Sequence, residues 1–573
     1  MPGCASCSFK CMTSNPRLDP ARSGRWPGRR DLIGLGLGAA LLFTLALGAR
    51  DLWHPNEPTY GQAVAEMAAS GEWLIPTVNG IPFAEKPILY FWMALVASMA
   101  LGGVSELSLR LPSAVAGVAV IVMIYALVRP RAGARRARVA ALLGATIYIV
   151  FWSARSAQMD LLLCATTLGA VWAASRVLDG DLERRRGWAW AGAAAGFGFL
   201  AKGPVGLICP ALVVLLYAVA SRRARELLRG SVLLAAAAFF LVAAPWYLAL
   251  LVRGENAFLF ELLYRQNVER FLNPWDHSAP WWYFLEAFFI DMVPWAPFVP
   301  LAWGLTPADD RERALHRLAW VWLASIVVFF SLSASKRSPY ILPTAPAVAI
   351  LASAVFTRWR DGSLDRPRRM VALCLVVAIA LALFGGAVAV VDQLDGKLAS
   401  PAQLHRAGVV GALLMAAGGL AILAGALVRW RGRLGAPLAL FGFVLAVYTV
   451  AAVALLPGLD AIKSHRPFCE AIVAHVGPDR PLQGYRLWKW RSAYSYYSGR
   501  QVRSLEGPDE LREYWSRPDR VFLIVERAML DEVRATVVAG EPLASRGVGS
   551  NFAYLFANRP EGDREGSQAG GVE

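Results

Sequence analysis

The feature that most limits what this chain can fold into is the recurrence of long apolar stretches separated by short basic ones. Apolar segments fall at 32–49, 88–102, 111–128, 139–154, 161–178, 188–201, 204–220, 231–252, 283–303, 316–332, 338–357, 370–392, 408–428 and 435–456. About 20 mostly apolar residues are needed to cross about 30 Å of hydrocarbon, so the pattern predicts an all-α polytopic membrane protein. With 56% hydrophobic residues and a mean hydropathy of +0.43, the chain is too apolar for an ordinary soluble multidomain protein.

Charge then tests which segments cross. Arg29 and Arg30 place the N-terminus in the cytoplasm, and the basic stretch 129–138 should lie on the same side. Counting both 88–102 and 111–128 as spans would put that stretch outside. The shorter, 88–102, is therefore read as a helix lying in or re-entering the outer leaflet. About thirteen spans remain, every basic loop falls inside, and the C-terminus lies outside. The formal charge of +16 is then a matter of topology, and nucleic acid is not expected as a partner.

Cysteine gives no disulfide framework. Cys4, Cys7 and Cys11 sit in the extreme N-terminal arm, whereas Cys164, Cys209 and Cys374 lie inside apolar segments. Residues 1–31 read as a disordered basic cytoplasmic arm, 32–457 as the membrane domain, 458–558 as a small extracytoplasmic α/β domain, and 559–573 as a disordered tail. In the α/β domain 521–525 reads as a buried strand, 509–515 as an amphipathic helix and 553–556 as a last strand.

The external loop 50–87 concentrates unusual polarity. Asp51, Glu57, Glu85 and Lys86 stand among Trp53, Tyr60 and Trp73, a mixture suited to holding a charged amphiphile at the membrane surface. Other polar residues expected on that face are Asp160, Lys202, Arg270, His277, Lys336, Arg337 and Tyr340. Several have a plainer reading. Lys86 could be a snorkelling interfacial lysine, Asp160 a helix N-cap beside Arg155, Lys202 a turn anchor, and the 336–340 run a helix-end anchor.

The loop reads Pro55-Asn56-Glu57-Pro58-Thr59-Tyr60, then Glu66-Met67 with Ser70-Gly71-Glu72-Trp73, then Phe83-Ala84-Glu85-Lys86-Pro87. In order and spacing it resembles the first external loop of the lipid A aminoarabinose transferases, GT-C glycosyltransferases that use polyprenyl-phosphate donors. Further likenesses are Ala201-Lys202-Gly203, Arg270 followed by His277 and Pro280-Trp281-Trp282, and Lys336-Arg337 followed by Tyr340-Ile341-Leu342-Pro343. The resemblance implies a GT-C fold and inverting transfer of a sugar from a polyprenyl-phosphate carrier to a lipid or protein acceptor. It places the active site on the periplasmic face of a bacterial inner membrane, in a monomer.

By the same resemblance the carrier phosphate is contacted by Lys86 and Tyr340, with Lys202, Arg270, Lys336 and Arg337 as further cations. Asp160 matches the second acidic position of these enzymes. Glu85 and His277 match a pair that binds a divalent ion, zinc or magnesium or manganese. One departure matters: the family's aspartate is Asn56 here. An amide cannot act as a base, so the adjacent Glu57 is expected in that role, with Asp51 as a second choice.

Overall fold

A computed structural model describes residues 28–560 apart from 276, 365–368, 371, 378, 381–434, 478, 488–490 and 549–550. The N-terminal cysteine arm, the end of the tail, the segment expected at 408–428 and most of that expected at 370–392 lie outside the described residues.

The membrane domain is a helical bundle. Its first helices are α1 (Arg29–Thr44), α2 (Glu57–Ser70), α3 (Leu89–Ala100), α4 (Glu106–Ala145), α5 (Tyr148–Ala154), α6 (Asp160–Asp179), α7 (Arg184–Lys202), α8 (Val205–Ala220) and α9 (Leu233–Val252). Among the described residues six helical stretches are long and apolar enough to cross a membrane, and a seventh is the bent pair Tyr283–Asp291 and Ala296–Ala302. The chain is thus a multi-pass membrane protein. At 12 residues α3 is about 18 Å long, short of the hydrocarbon thickness.

Two expectations about spans need correction. Segments 111–128 and 139–154 are not separated by an open basic loop, because α4 covers the first and the start of the second and breaks between them at Gly133, whose φ of 81° and ψ of 163° suit glycine; α5 carries the rest of the second. The two halves fold back on each other, so that a side chain at Gly144 would meet Ile124 at 2.8 Å. Segment 283–303 is not a straight span either, since its two helices meet at 105°. Pro294 within the break has no backbone N–H to continue the first helix.

Helices α6 to α9 pack with little between their backbones. A Cβ at Gly192 would lie 1.9 Å from the Ala235 carbonyl oxygen of α9, and one at Gly206 would lie 2.0 Å from the carbonyl carbon of Gly198. Small residues at such crossings let transmembrane backbones approach where no hydrophobic force draws helices together. The second contact closes the α7–α8 turn, which carries Lys202 at its tip.

The loop 50–87 is itself structured. Helix α2 starts with Pro58 in its first turn and stops at Gly71, which takes the left-handed conformation common at helix ends. A small hairpin follows, β1 (Thr77–Val78) and β2 (Ile81–Pro82), turning at Asn79 and Gly80 with φ of 56° and 75°. The Glu66 carboxylate gathers the Thr77 hydroxyl (2.6 Å) and the backbone N–H groups of Asn79 (2.6 Å) and Gly80 (3.1 Å).

Residues beyond 480 form a five-stranded sheet in the order β4-β3-β5-β7-β6, where β3 is Leu482–Tyr485, β4 Arg503–Leu505, β5 Phe522–Glu526, β6 Ala544–Val548 and β7 Asn551–Ala557. Strand β3 runs parallel to β4 and β5, and β7 is antiparallel to β5 and β6. Side chains alternate across β5: Phe522 and Ile524 join one buried cluster with Phe468 and Tyr494, whereas Leu523 and Val525 join another with Leu511 and Tyr514. Helices therefore cover both faces.

This sheet domain is latched to the first loop. Asp460 accepts from the Asp51 backbone N–H (2.9 Å) and from the Trp53 indole (2.6 Å). The Ser464 hydroxyl donates to Asp51 (2.5 Å), Arg466 pairs with both Asp51 and Glu106, and Tyr497 accepts from the Leu52 N–H (2.5 Å). Asp51 is thus occupied in joining the two domains, which corrects the expectation of it as a spare base.

Candidate functional site

One small cavity, of about 90 Å³, collects cationic and polar groups from five separate parts of the chain. Its walls are Glu85, Lys86 and Pro87 from the end of the first loop, Lys202 and Val205 from the α7–α8 turn, and Gln266, Asn267, Arg270 and Phe271 from the loop after α9. Phe330 with Ser333 and Ser335, and then Tyr340, complete it. Of the residues singled out from sequence, Lys86, Lys202, Arg270, Tyr340 and Glu85 meet here.

Each cation is placed by its own element. Lys86 follows the hairpin and is half-buried, its ammonium donating to the Glu85 carbonyl (3.0 Å). Desolvation lowers its pKa to about 8, and the charges of Arg270, Lys202 and Arg337 push the same way against Glu85. Lys202 ends α7 before Gly203 (φ 69°) and pairs with Asp160, the first residue of α6. Its ammonium also lies 5.1 Å from the centre of the Tyr340 ring. Asp160 is buried, and its partner is Lys202 rather than the expected Arg155. The Arg155 guanidinium caps α1 instead, donating to the carbonyls of Leu42, Phe43 and Ala46.

Arg270 follows a π-helical segment, Glu261–Glu269, and donates to Gln266 (3.3 Å). The strand of chain after it is stitched to the Tyr340 loop. Ala334 N–H donates to the Phe271 carbonyl (3.0 Å), Lys336 N–H to the His277 carbonyl (3.0 Å), and Ser278 bridges Ser335. Lys336 is itself a strut. Its ammonium is buried and donates to the carbonyls of Ala279 (3.1 Å) and Ser333, so it is not available to a ligand as the sequence suggested. Arg337 is half-buried and stands off the cavity wall, acting on Lys86 only through its charge. Ser338 donates to Asp291 (2.6 Å), fixing the turn that carries Tyr340.

Glu57 is the clearest correction. It is not on the cavity wall but 6% exposed within a clamp, taking Arg50 at 2.6 Å and Arg110 at 2.9 Å. It also accepts the backbone N–H groups of Trp53 (3.0 Å) and Ala157 (2.8 Å). Burial alone would raise its pKa, but Arg110 and Arg50 more than offset that and hold the carboxyl well below the ordinary range. A carboxylate gripped by two guanidinium groups is a structural anion, not a proton acceptor. Asn56 holds the position before α2 with no side-chain cap bond, also off the cavity wall.

The donor set for a metal is thin. Glu85 faces the cavity and His277 is exposed, while among the described residues no group of three or more His, Cys, Asp or Glu side chains comes together. Two ligands fall short of the three or four that a committed zinc centre uses. Sequence reasoning missed the neutral lining. Gln266 and Asn267 precede Arg270 by four and three residues, and that helical spacing was the available signal.

Two lysines, an arginine and a phenol thus stand together beside apolar walls. Comparison with known proteins gives three findings. Residues 85–248 match the model of the dolichyl-phosphate-mannose-protein mannosyltransferase family. The chain is similar to the undecaprenyl phosphate-alpha-4-amino-4-deoxy-L-arabinose arabinosyl transferase 1 of Pseudomonas fluorescens strain Pf0-1. The two are 32% identical over 362 residues, covering 61% of this chain and 62% of the relative. A transferase of the same name from Aeromonas salmonicida is 31% identical over 360 residues, covering 60% and 64%. The chain thus spans less than two thirds of the length of these relatives.

Among solved structures it is similar to ArnT from Cupriavidus metallidurans bound to undecaprenyl phosphate. The TM-score is 0.78 at 23% identity, over 92% of this chain and 98% of that one. The apo form of that protein gives 0.73 at 22% over the same shares. The fold is thus that of ArnT over nearly the whole chain, and the sequence is similar to the aminoarabinose transferases over the part that aligns.

Proposed function

We propose that the chain is an integral-membrane glycosyltransferase that moves a sugar from a polyprenyl-phosphate carrier to an envelope acceptor at the periplasmic face of a bacterial inner membrane. The observation that carries this reading is the convergence of Lys86, Lys202, Arg270 and Tyr340 on one cavity. The names of the similar transferases and the carrier lipid bound by the similar ArnT structure support it. About thirteen spans and an extracytoplasmic sheet domain belong to the same proposal.

The reaction is a single displacement. The acceptor oxygen forms the new bond to the anomeric carbon as the bond from that carbon to the carrier phosphate breaks, and the electron pair leaves on the phosphate oxygen. Lys86, Arg270 and the Tyr340 hydroxyl meet the charge that grows there, and Lys202 bridges it to Asp160. With an amide at Asn56 and Glu57 locked away, an acceptor that arrives ionised, as a lipid A-like phosphate does, needs no base to remove its proton.

The test is transfer in liposomes with labelled polyprenyl-phosphate sugar. Release of free carrier and a labelled acceptor lipid is the expected result, and redistribution of intact donor between leaflets would replace the reading with that of a flippase. Label in protein in place of lipid would favour the mannosyltransferase-like activity named by the matched family.

The same assay has an expected pH profile. Phosphate is gripped by the protonated form of Lys86, whose value in the free protein is lowered to about 8 by burial. The charged form is therefore present below that value and lost above it, so kcat/KM falls as pH rises through about 8. Lys86→Arg keeps its charge and should move that limb upward; an unmoved limb would detach it from Lys86.

A further inference from the structure

Arg270 reaches the cavity from a segment with unusual backbone geometry. Between Glu261 and Glu269 the chain is wound as a π-helix, a form that is rare and frequent at functional sites. The winding brings Gln266, Asn267 and Arg270 to the same cavity wall.

Gln266 uses both ends of its amide. Its oxygen accepts from the Arg270 guanidinium (3.3 Å), and its nitrogen donates to the Glu261 carboxylate (2.8 Å). Glu261 is held in turn by Arg265 at 3.0 Å. The carboxylate sets which way the amide faces: nitrogen toward Glu261, oxygen toward Arg270. A glutamate at 266 would confront Glu261 with a like charge, and an apolar side chain would leave the guanidinium without this acceptor. Asn267 anchors the same turn, donating to the Leu262 carbonyl (2.7 Å) and lying beside Gly203, next to Lys202.

We infer that Gln266 is a positioning residue, which orients the Arg270 guanidinium toward the anionic head group through a relay from Glu261. The inference rests on the phosphate reading of the cavity and adds to it a neutral residue on which the strength of that grip depends.

The test is a double-mutant cycle on the full-length protein in nanodiscs, reading affinity for a polyprenyl phosphate. Gln266→Leu is expected to weaken binding about tenfold, equivalent to about 1.4 kcal/mol, with an unchanged melting temperature. In an Arg270→Ala background the same substitution should change affinity by less than about twofold. Equal losses in both backgrounds, or no loss in the native background, would overturn the relay. A drop in melting temperature is met by Gln266→Ala, which removes the amide without adding bulk and must give the same pair of results. If Arg270→Ala alone leaves affinity intact, the phosphate reading and the relay fall together; if it weakens affinity and Gln266→Leu does not, only the relay falls.

Discussion

Lys86→Ala is expected to abolish sugar transfer while the protein stays folded. Its ammonium is half-buried and donates to the Glu85 carbonyl, so its removal strands no buried group of opposite charge. What it takes from the cavity is one of the cations that, in the proposed reaction, meet the leaving phosphate. Removing one preorganised donor of this kind costs about 10²- to 10³-fold in kcat. Rates measured in liposomes, beside a melting curve and a monodisperse elution profile, separate the two quantities. Near-native turnover in this variant would remove the phosphate assignment.

Glu57→Ala has the opposite signature, a loss of folded protein. Glu57 compensates Arg50 and Arg110, both buried, and also accepts two backbone N–H groups. Removing one partner of a buried ion pair costs about 3–5 kcal/mol, a large share of the roughly 5–15 kcal/mol that holds a typical domain together. Poor yield and a lowered melting temperature are the expected observations. A Glu57→Ala protein with native stability and a selective loss of kcat would restore Glu57 as a base.

These two residues also mark how far the site could be read from sequence. Lys86, Lys202 and Tyr340 stand out because each is a polar residue at the end of an apolar segment, where the bilayer makes such groups expensive, whereas Arg270 stands out only by its motif with His277 on the same loop. Their meeting at one cavity could not be read, since it depends on the crossings of α6 to α9 and on the stitching of 271–279 to 334–336. Glu57 misled because its partners were out of view. Arg50 lies 7 residues away and Arg110 53, and nothing in the spacing shows that both turn inward.

The error at Asp160 has the same origin. Arg155 was the near neighbour in sequence, but Lys202, 42 residues on, is the neighbour in space. The helical content of the bundle was legible from apolar length alone, whereas its irregularities were not. A chain reversal at one glycine, a bend at 291–296 and a π-wound stretch at 261–269 change hydrogen-bond register without changing composition.

The latch between Asp460 and the Asp51 backbone joins positions 409 residues apart. During synthesis the early half of that pair emerges long before the late half exists. The surface around Trp53 must therefore wait, with its indole N–H and the Leu52 amide solvated, until the segment that carries Asp460 has been made and folded. Maturation of the loop leading to Lys86 is in this way timed by a much later part of the polypeptide.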